Sequence, residues 1–444
     1  MVEHRMSRPA HPPLLEQNGA IRVRSAGPLI GEFYPPGDKS ISHRALLLGA
    51  LADGTSTIAN FLPARDCLAT LACLRSLGVH ILKDDPTKMT VVGSGLNGLN
   101  RPVGPLDCVR SGTTMRLLAG IMAGQRFASV LTGDPQLLRR PMRRVVGPLR
   151  TMGAEIEDTD GHGPLKISGR RLVGQRHDLV VASAQVKSAL LLAGLYAQGP
   201  TVVHQPGPAR DHTERMLIAM GAQVTIDGLT VSLEPPSSLA PLDLMVPGDI
   251  SSAAFLLIAG ALIPGSRITA LNVGLNPTRT GLLEILVEMG AALEITNRRE
   301  QGDEPVADVT LSAGDLRATE VGGDTVVRMI DEFPALAVAV TQAEGTTHVR
   351  DAAELRVKET DRIATVVAEL TRLGARIEPR PDGFVVEGPT PLQGAVVDSH
   401  GDHRLAMALV VAGLLAEGET VVLGAESIAD SFPGFLHHLE ELTQ

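Results

Sequence analysis

In PGDKSISHRALLL, residues 36–48, Lys39 and Ser40 head an apolar run and Arg44 follows one turn later. Only six of the 40 basic residues are lysines, so a lysine inside a dense motif raises the question of an anion site. A nucleoside-triphosphate loop reads GxxxxGK[ST], with glycine directly before the lysine. Here Asp38 intervenes, where a carboxylate would repel phosphates, and Pro35 and Pro36 remove amides that such a cradle needs. What remains is another kind of anion site, or a helix capped by Asp38 or Ser40 with Lys39 in solvent.

Four more clusters pose the same choice between chemistry and plain structure. DPQLLRRPMRR packs Arg139, Arg140, Arg143 and Arg144 into six positions. ELRVKETDR holds Glu354, Arg356, Lys358, Glu359, Asp361 and Arg362. If that stretch is helical, Lys358 and Arg362 share a face, as in a surface salt-bridge lattice, but the mixed charges also suit an acid–base site. Asp331 in RMIDEFPAL and Asp402, His403 and Arg404 in GDHRLAMA stand just before apolar runs, where helix caps are expected. No second ligand type lies at metal-binding spacing from His403, so no metal is expected. Cys67, Cys73 and Cys108 form no CxxC and fit a reducing cytosol.

The elements that position these residues repeat. LRSLGVHI, LRTMGAEI, LIAMGAQVTI, LVEMGAALEI and LTRLGARIEP each end a helical pattern on a glycine, at Gly78, Gly153, Gly221, Gly290 and Gly374. A left-handed helix cap favours glycine there, and an alternating, strand-like stretch follows. Upstream of each lies a small-residue helix, a glycine and a β-branched strand, as in ALLLGALADGTSTIANF and AMALVVAGLLAEGETVVLG. Six such copies run along the chain, each roughly helix–strand–helix–strand, the sixth expected to lack its last strand. Six units exceed one core, so three per domain is the natural division. The Pro-rich SLEPPSSLAPLDLMVPGD suits a hinge, with one domain at 37–246 and the other formed by 1–36 and 247–444. Residues 1–18 are expected to be a loose tail.

The candidate residues sit where the first helix of each copy begins: Lys39, Ser40 and Arg44; Ser111, Gly112, Thr113 and Arg116; Ser183, Gln185 and Lys187; Asp249, Ser251 and Ser252; Asp331 and Glu332; Asp402, His403 and Arg404. Helix starts carry unpaired N–H groups and partial positive charge, which suits anions. Formal charge over the chain is −10 and aromatics are 2%. Nucleic-acid and anionic-membrane surfaces are therefore not expected, and a small, multiply anionic ligand is.

PGDKSISHRALLLGAL, SGTTMRLLAG, RRPM, SAQVKSALLLAGL, LNPTRTG, IDEFPALAVA, LRVKETDR and GDHRLAMA, in this order, resemble the 5-enolpyruvylshikimate-3-phosphate synthases, a family of enolpyruvyl transferases. Single motifs are weak, but eight in order are specific and extend over residues 30 to 436. SAQVKSA and RDHTE are similar to the subgroup related to glyphosate-tolerant bacterial forms. The resemblance implies a two-domain inside-out α/β barrel, each domain built of three βαβαββ-type repeats about a pseudo-threefold axis, with the site in the cleft between them. It implies transfer of the enolpyruvyl group of phosphoenolpyruvate to the 5-hydroxyl of shikimate 3-phosphate, with no cofactor, in a cytoplasmic monomer.

Residue by residue, the match implies that Lys39 touches both substrates, with Ser40 and Arg44 on the shikimate phosphate. Ser183, Ala184, Gln185 and Arg210 would hold the same substrate, and Asp331 and Lys358 its hydroxyls. Gly112 would let backbone approach phosphoenolpyruvate, with Gln185, Arg140, Arg362 and Arg404 around its anionic groups. Asp331 is the candidate for the hydroxyl proton and Glu359, beside Lys358, for the methylene. Two positions depart from the family pattern. Arg110 stands where asparagine is common, and Asp430 in IADSFP where many members carry a basic residue. A phosphoenolpyruvate clamp one cation short would follow, with Arg110 a candidate replacement. The small Gly112 implies that glyphosate can enter.

Two rivals fit these residues less well. The sister transferase acting on UDP-N-acetylglucosamine carries a cysteine on its mobile loop, and TGDPQLLRRP has none. A non-catalytic sensor of a phosphorylated metabolite has no need of Lys39, Asp331, Glu359 and Arg404 together.

Overall fold

The computed structural model describes residues 14–17 and 19–443. Its organising unit is strand–helix–strand–helix–strand–strand, and six four-stranded sheets occur among the described residues. The second unit shows the pattern. Leu106–Asp107 lies parallel to Ala128–Thr132, which pairs antiparallel with His162–Ser168, and Glu155–Thr159 forms the outer edge. The helices Gly112–Ala123 and Arg143–Thr151 fill the two crossovers.

The two helices of a unit differ because their sequences do. Lys39–Leu51, Gly112–Ala123, Ala184–Gly194, Ile250–Leu262, Phe333–Thr341 and His403–Leu415 are apolar all round and buried on nearly every face. The second helices, such as Arg65–Ser76 and Arg362–Arg372, bury one stripe and cover the outside. All five stop glycines adopt positive φ, between 85° and 102°. Two apolar cores result. One runs from Ile41 to Val246, and the other combines Leu14–Phe33 with Ile250–Leu442. Truncating a central side chain such as Leu118 to Ala removes about 2–5 kcal/mol, a large share of the 5–15 kcal/mol typical of a domain.

The chain crosses between the cores twice, and the crossings lie side by side. Gly37 and Gly248 form an antiparallel bridge, Asp38 N–H donates to the Pro247 carbonyl and Asp249 N–H to that of Pro36. Both aspartates cap the helices that follow, and Arg279 clamps both, at 2.6 Å to Asp38 and 2.9 Å to Asp249. The crossings also exchange strands. Asp243–Met245 completes the sheet of the first unit through Thr55–Ala59, and Ile30–Phe33 completes that of the fourth through Arg267–Gly274.

Two sequence expectations change here. The sixth unit does not lack its outer strands, because Ala20–Arg24 pairs with Glu419–Leu423 and Leu14–Gln17 pairs with Ala20–Arg24. Part of the expected tail, residues 14–17, is therefore sheet; residues 1–13 and 18 lie outside the described residues. The alternating apolar residues Ile21 and Val23 anchor these strands on the second core.

Candidate active site

Twelve of the fourteen residues that the resemblance implies line one cavity of about 270 Å³ between the two cores. The first side supplies Lys39, Ser40, Arg44, Gly112, Arg140, Ser183, Ala184, Gln185 and Arg210, and the second Asp331, Lys358 and Glu359. The inner helices aim their first turns at it. Ser111 and Ser183 cap theirs, accepting from the amides of Thr114 at 3.1 Å and Val186 at 3.4 Å, and Gly112 and Gln185 line the cavity from the first turns that follow. Seven cationic side chains against five carboxylates line the space, although the whole chain is acidic. That excess suits a ligand with several negative charges.

At the centre Asp331 accepts from Arg210 Nη2 at 2.6 Å and meets Arg362 Nη1 at 3.4 Å. Arg210 also donates to Ser40 Oγ at 3.2 Å, joining the two sides. Burial alone would raise the Asp331 carboxyl, but Arg210, Arg404, Lys358 and Arg362 hold it well below the usual carboxylate range. Lys358 moves the other way. Burial drives its ammonium down to about 8, against the pull of Asp331.

At the far end Glu359 accepts from Arg140 Nη1 at 3.1 Å and Arg362 Nη2 at 2.7 Å. Burial works against its ionisation, yet Arg140 and Arg362, with Lys39 close by, keep it well below the ordinary value. Lys39 Nζ lies 3.2 Å from Asp66 and 3.5 Å from His403 Nε2. Burial, with Lys39 and Arg404 close by, pushes the His403 imidazole well down, so it is neutral at physiological pH.

Arg362 and Arg404 do not line the cavity. They lie behind it, 1% and 2% exposed, and Arg362 Nε donates to Asp402 at 2.8 Å. Asp402 is also the cap of His403–Leu415, accepting from the Arg404 amide at 2.9 Å. Lys358 and Arg362 do not share a helix face either. A 3-10 turn, Ala353–Val357, ends before Lys358, and Asp361 starts a new helix by accepting from the Ala364 amide. Lys187, grouped with the helix-start cations by sequence, is a core residue whose ammonium is 2.5 Å from Glu214. Asp331 caps nothing; Glu332 stands at the cap position of Phe333–Thr341 with no capping bond.

Of three further contributors, Arg116 and His403 are helix-start candidates by sequence, and only Asp66 has no signal there. Arg116, one turn after Gly112, donates to Gln185 Oε1 at 2.7 Å and to the Pro141 carbonyl at 3.1 Å. Asp66 and His403 reach Lys39 from two different units, which no local pattern encodes. Away from the cavity, Asp211, His212 and Glu304 bring ligand-type atoms within 4.8 Å of one another. Most of these atoms are already bonded within the cluster: His212 Nδ1 is 2.6 Å from Glu304, and Asn276 donates to both Asp211 and Glu304.

Comparison with known proteins matches this arrangement to one family. The family model for EPSP synthase (3-phosphoshikimate 1-carboxyvinyltransferase) matches residues 23–439. A 3-phosphoshikimate 1-carboxyvinyltransferase of Brevibacillus brevis is 52% identical, over 96% of this chain and 100% of the relative. One from Herpetosiphon aurantiacus is 53% identical over 95% of this chain. The solved EPSP synthase of Acinetobacter baumannii superposes with a TM-score of 0.85 at 43% identity, covering 95% of this chain and 98% of that one. With its six repeated units, two cores and cationic cleft, the chain belongs to the EPSP synthase family, the 3-phosphoshikimate 1-carboxyvinyltransferases.

Proposed function

We infer that the cleft transfers the enolpyruvyl group of phosphoenolpyruvate to the 5-hydroxyl of shikimate 3-phosphate and releases inorganic phosphate. The carrying observation is a single cavity that gathers Lys39, Arg140, Arg210 and Lys358 around two ionised carboxylates, Asp331 and Glu359. Two phosphorylated carboxylic acids need several cations in one place, and guanidinium forks suit both groups. Shikimate 3-phosphate takes the side of Ser40, Arg44, Ser183, Ala184, Gln185, Arg210 and Lys358. Phosphoenolpyruvate takes the end of Lys39, Gly112, Gln185 and Arg140, with Arg362 and Arg404 turning toward its carboxylate.

In the first step the 5-hydroxyl oxygen attacks C2 of phosphoenolpyruvate and C3 gains a proton. In the second, C3 loses a proton and the C2–O bond to phosphate breaks. Asp331, ionised and acceptor-only, takes the hydroxyl proton. Glu359 serves C3. Its ionised form is held by Arg140 and Arg362, so an anionic substrate that captures those guanidiniums releases Glu359 to bind a proton. Holding both ligands in register lowers the barrier by roughly 7–11 kcal/mol.

The two units are bounded at 37–246 and at 1–36 with 247–444, a division supported by the two apolar cores and the paired crossings. No helix among the described residues is long and apolar enough to cross a membrane. A cytoplasmic monomer open to glyphosate, with no nucleic-acid or membrane partner, completes the reading. Phosphate release measured with phosphoenolpyruvate plus shikimate 3-phosphate, plus UDP-N-acetylglucosamine, or alone, tests it. Release is expected only in the first mixture, and release with the UDP-sugar instead would reassign the substrate.

A further inference from the structure

The two positions that depart from the family pattern meet each other. Arg110 Nη1 lies 3.3 Å from Asp430 Oδ2, and Arg65 Nη1 lies 3.1 Å from the other oxygen. Arg110 belongs to the loop ahead of the Ser111 cap, on the first core, while Asp430 ends a 3-10 helix, Ala425–Asp430, on the second. The guanidinium also packs on Gly401 of the second side, where a Cβ would fall 2.9 Å from Nη2. The pair lines a recess that shares Asp66, Arg140 and Glu359 with the main cavity.

The loop that presents Arg110 is tightly fixed. Val109 has φ 51°, a left-handed conformation that costs a β-branched residue about 1–2 kcal/mol and persists only where the surroundings enforce it. Here Asp107 accepts from the Val109 amide at 2.8 Å, and the Asp134 amide donates to the Val109 carbonyl at 2.8 Å. Asp430 is 6% exposed at its side chain, so without Arg110 it would be a buried negative charge beside the anion-binding end, balanced only by the half-exposed Arg65.

We propose that Arg110 and Asp430 form a charge latch across the cleft, with Arg110 a positioning residue that holds the phosphoenolpyruvate end shut and screens that ligand from Asp430. The latch rests on the placement of phosphoenolpyruvate beside Arg140. A double-mutant cycle on the full chain, with KM for each substrate and kcat measured separately, tests it. Arg110→Asn raises KM for phosphoenolpyruvate about tenfold, the scale of coupling within one ion-pair network, and leaves that for shikimate 3-phosphate within about twofold. Arg110→Asn with Asp430→Asn returns KM to within about threefold of the parent, because the carboxylate left to Arg65 alone is gone. Arg110→Lys retains most of the function, since it keeps the charge. Effects that simply multiply around the cycle, or a loss shared equally by both substrates, overturn the latch. Arg140→Ala in the same assay separates the two ideas. If it leaves KM for phosphoenolpyruvate unchanged the placement itself fails; if it raises KM while the cycle is multiplicative, only the latch fails.

Discussion

The tips of the three inner helices on the first side carry Lys39 and Ser40, Gly112 and Thr113, and Ser183 and Gln185, whereas those on the second carry Asp249, Asp331 with Glu332, and Asp402. Of these groups, those that line the cavity are an ammonium, hydroxyls and an amide on the first wall and the Asp331 carboxylate on the second. Asp38, the cap of the first helix, is turned to Arg279. The carboxylates are not free. Asp331 is held by Arg210 and Arg362, Asp402 by Arg362, and Asp249 by Arg279. The first wall is suited to bind anions directly, and the second to hold and move protons while its own arginines await a better partner.

The largest effects should come from breaking this division at its centre. Asp331→Ala and Lys39→Ala, one from each wall, should each lower kcat by roughly a thousandfold, within the range of lost acid–base and charge-stabilising groups, with the thermal melt retained. Near-normal turnover in either would refute the assignment of the site.

Glu359→Gln sharpens the proton-handling side. A loss of about a hundredfold in kcat is expected. Solvent deuterium should also stop entering C3 of phosphoenolpyruvate, followed by mass spectrometry; undiminished exchange in the variant would move that role elsewhere.

Gly112→Ala probes the binding wall alone. An added Cβ would sit 2.9 Å from Nη1 of both Arg116 and Arg140. Displacing those guanidiniums should raise KM for phosphoenolpyruvate about tenfold, an overpacking cost of about 1–3 kcal/mol, with little change for shikimate 3-phosphate. Glyphosate inhibition should weaken in parallel, and equal inhibition of parent and variant would show that the inhibitor does not use this end.

The smallest effect is a pH dependence. Lys358 loses its proton near pH 8 in the folded chain, so KM for shikimate 3-phosphate should climb a few-fold above that pH. Lys358→Arg should move the rise to higher pH, and a flat profile in the parent would remove Lys358 from the binding set. For stability the sign is opposite. Between about 8 and the ordinary lysine value of 10.5 the unfolded chain holds a proton that the folded chain has lost, so this group makes unfolding costlier as pH rises.

Local features were legible in the sequence. The stop glycines are fixed by backbone sterics, and the helix starts by a polar residue ahead of an apolar run. Pairings between distant positions were not. Lys187 looks like a site cation until its partner Glu214, 27 residues on, is known. The break at Lys358–Asp361 was missed because its charges fit a helix equally well, and the backbone leaves that path to let Glu359 meet Arg140 from the other side. The resemblance puts Arg362 and Arg404 around phosphoenolpyruvate, whereas here Arg362 is paired with Asp402 and Arg404 lies 3.9 Å from Asp331.

The sheet that closes the sixth unit bears on the order of assembly. Its hydrogen bonds join Ile21 to Val422 and Arg22 to Val421, and Arg22 reaches Glu419 across 397 positions. The first core draws on one continuous stretch, from Ile41 to Val246, and can assemble as soon as that stretch emerges from the ribosome. The second must keep Ile30–Phe33 unpaired while more than two hundred residues are made, and Ala20–Arg24 until Glu419–Leu423 is made. Such long-range pairing is slow, and those waiting strands are where a nascent chain is most exposed to mispairing.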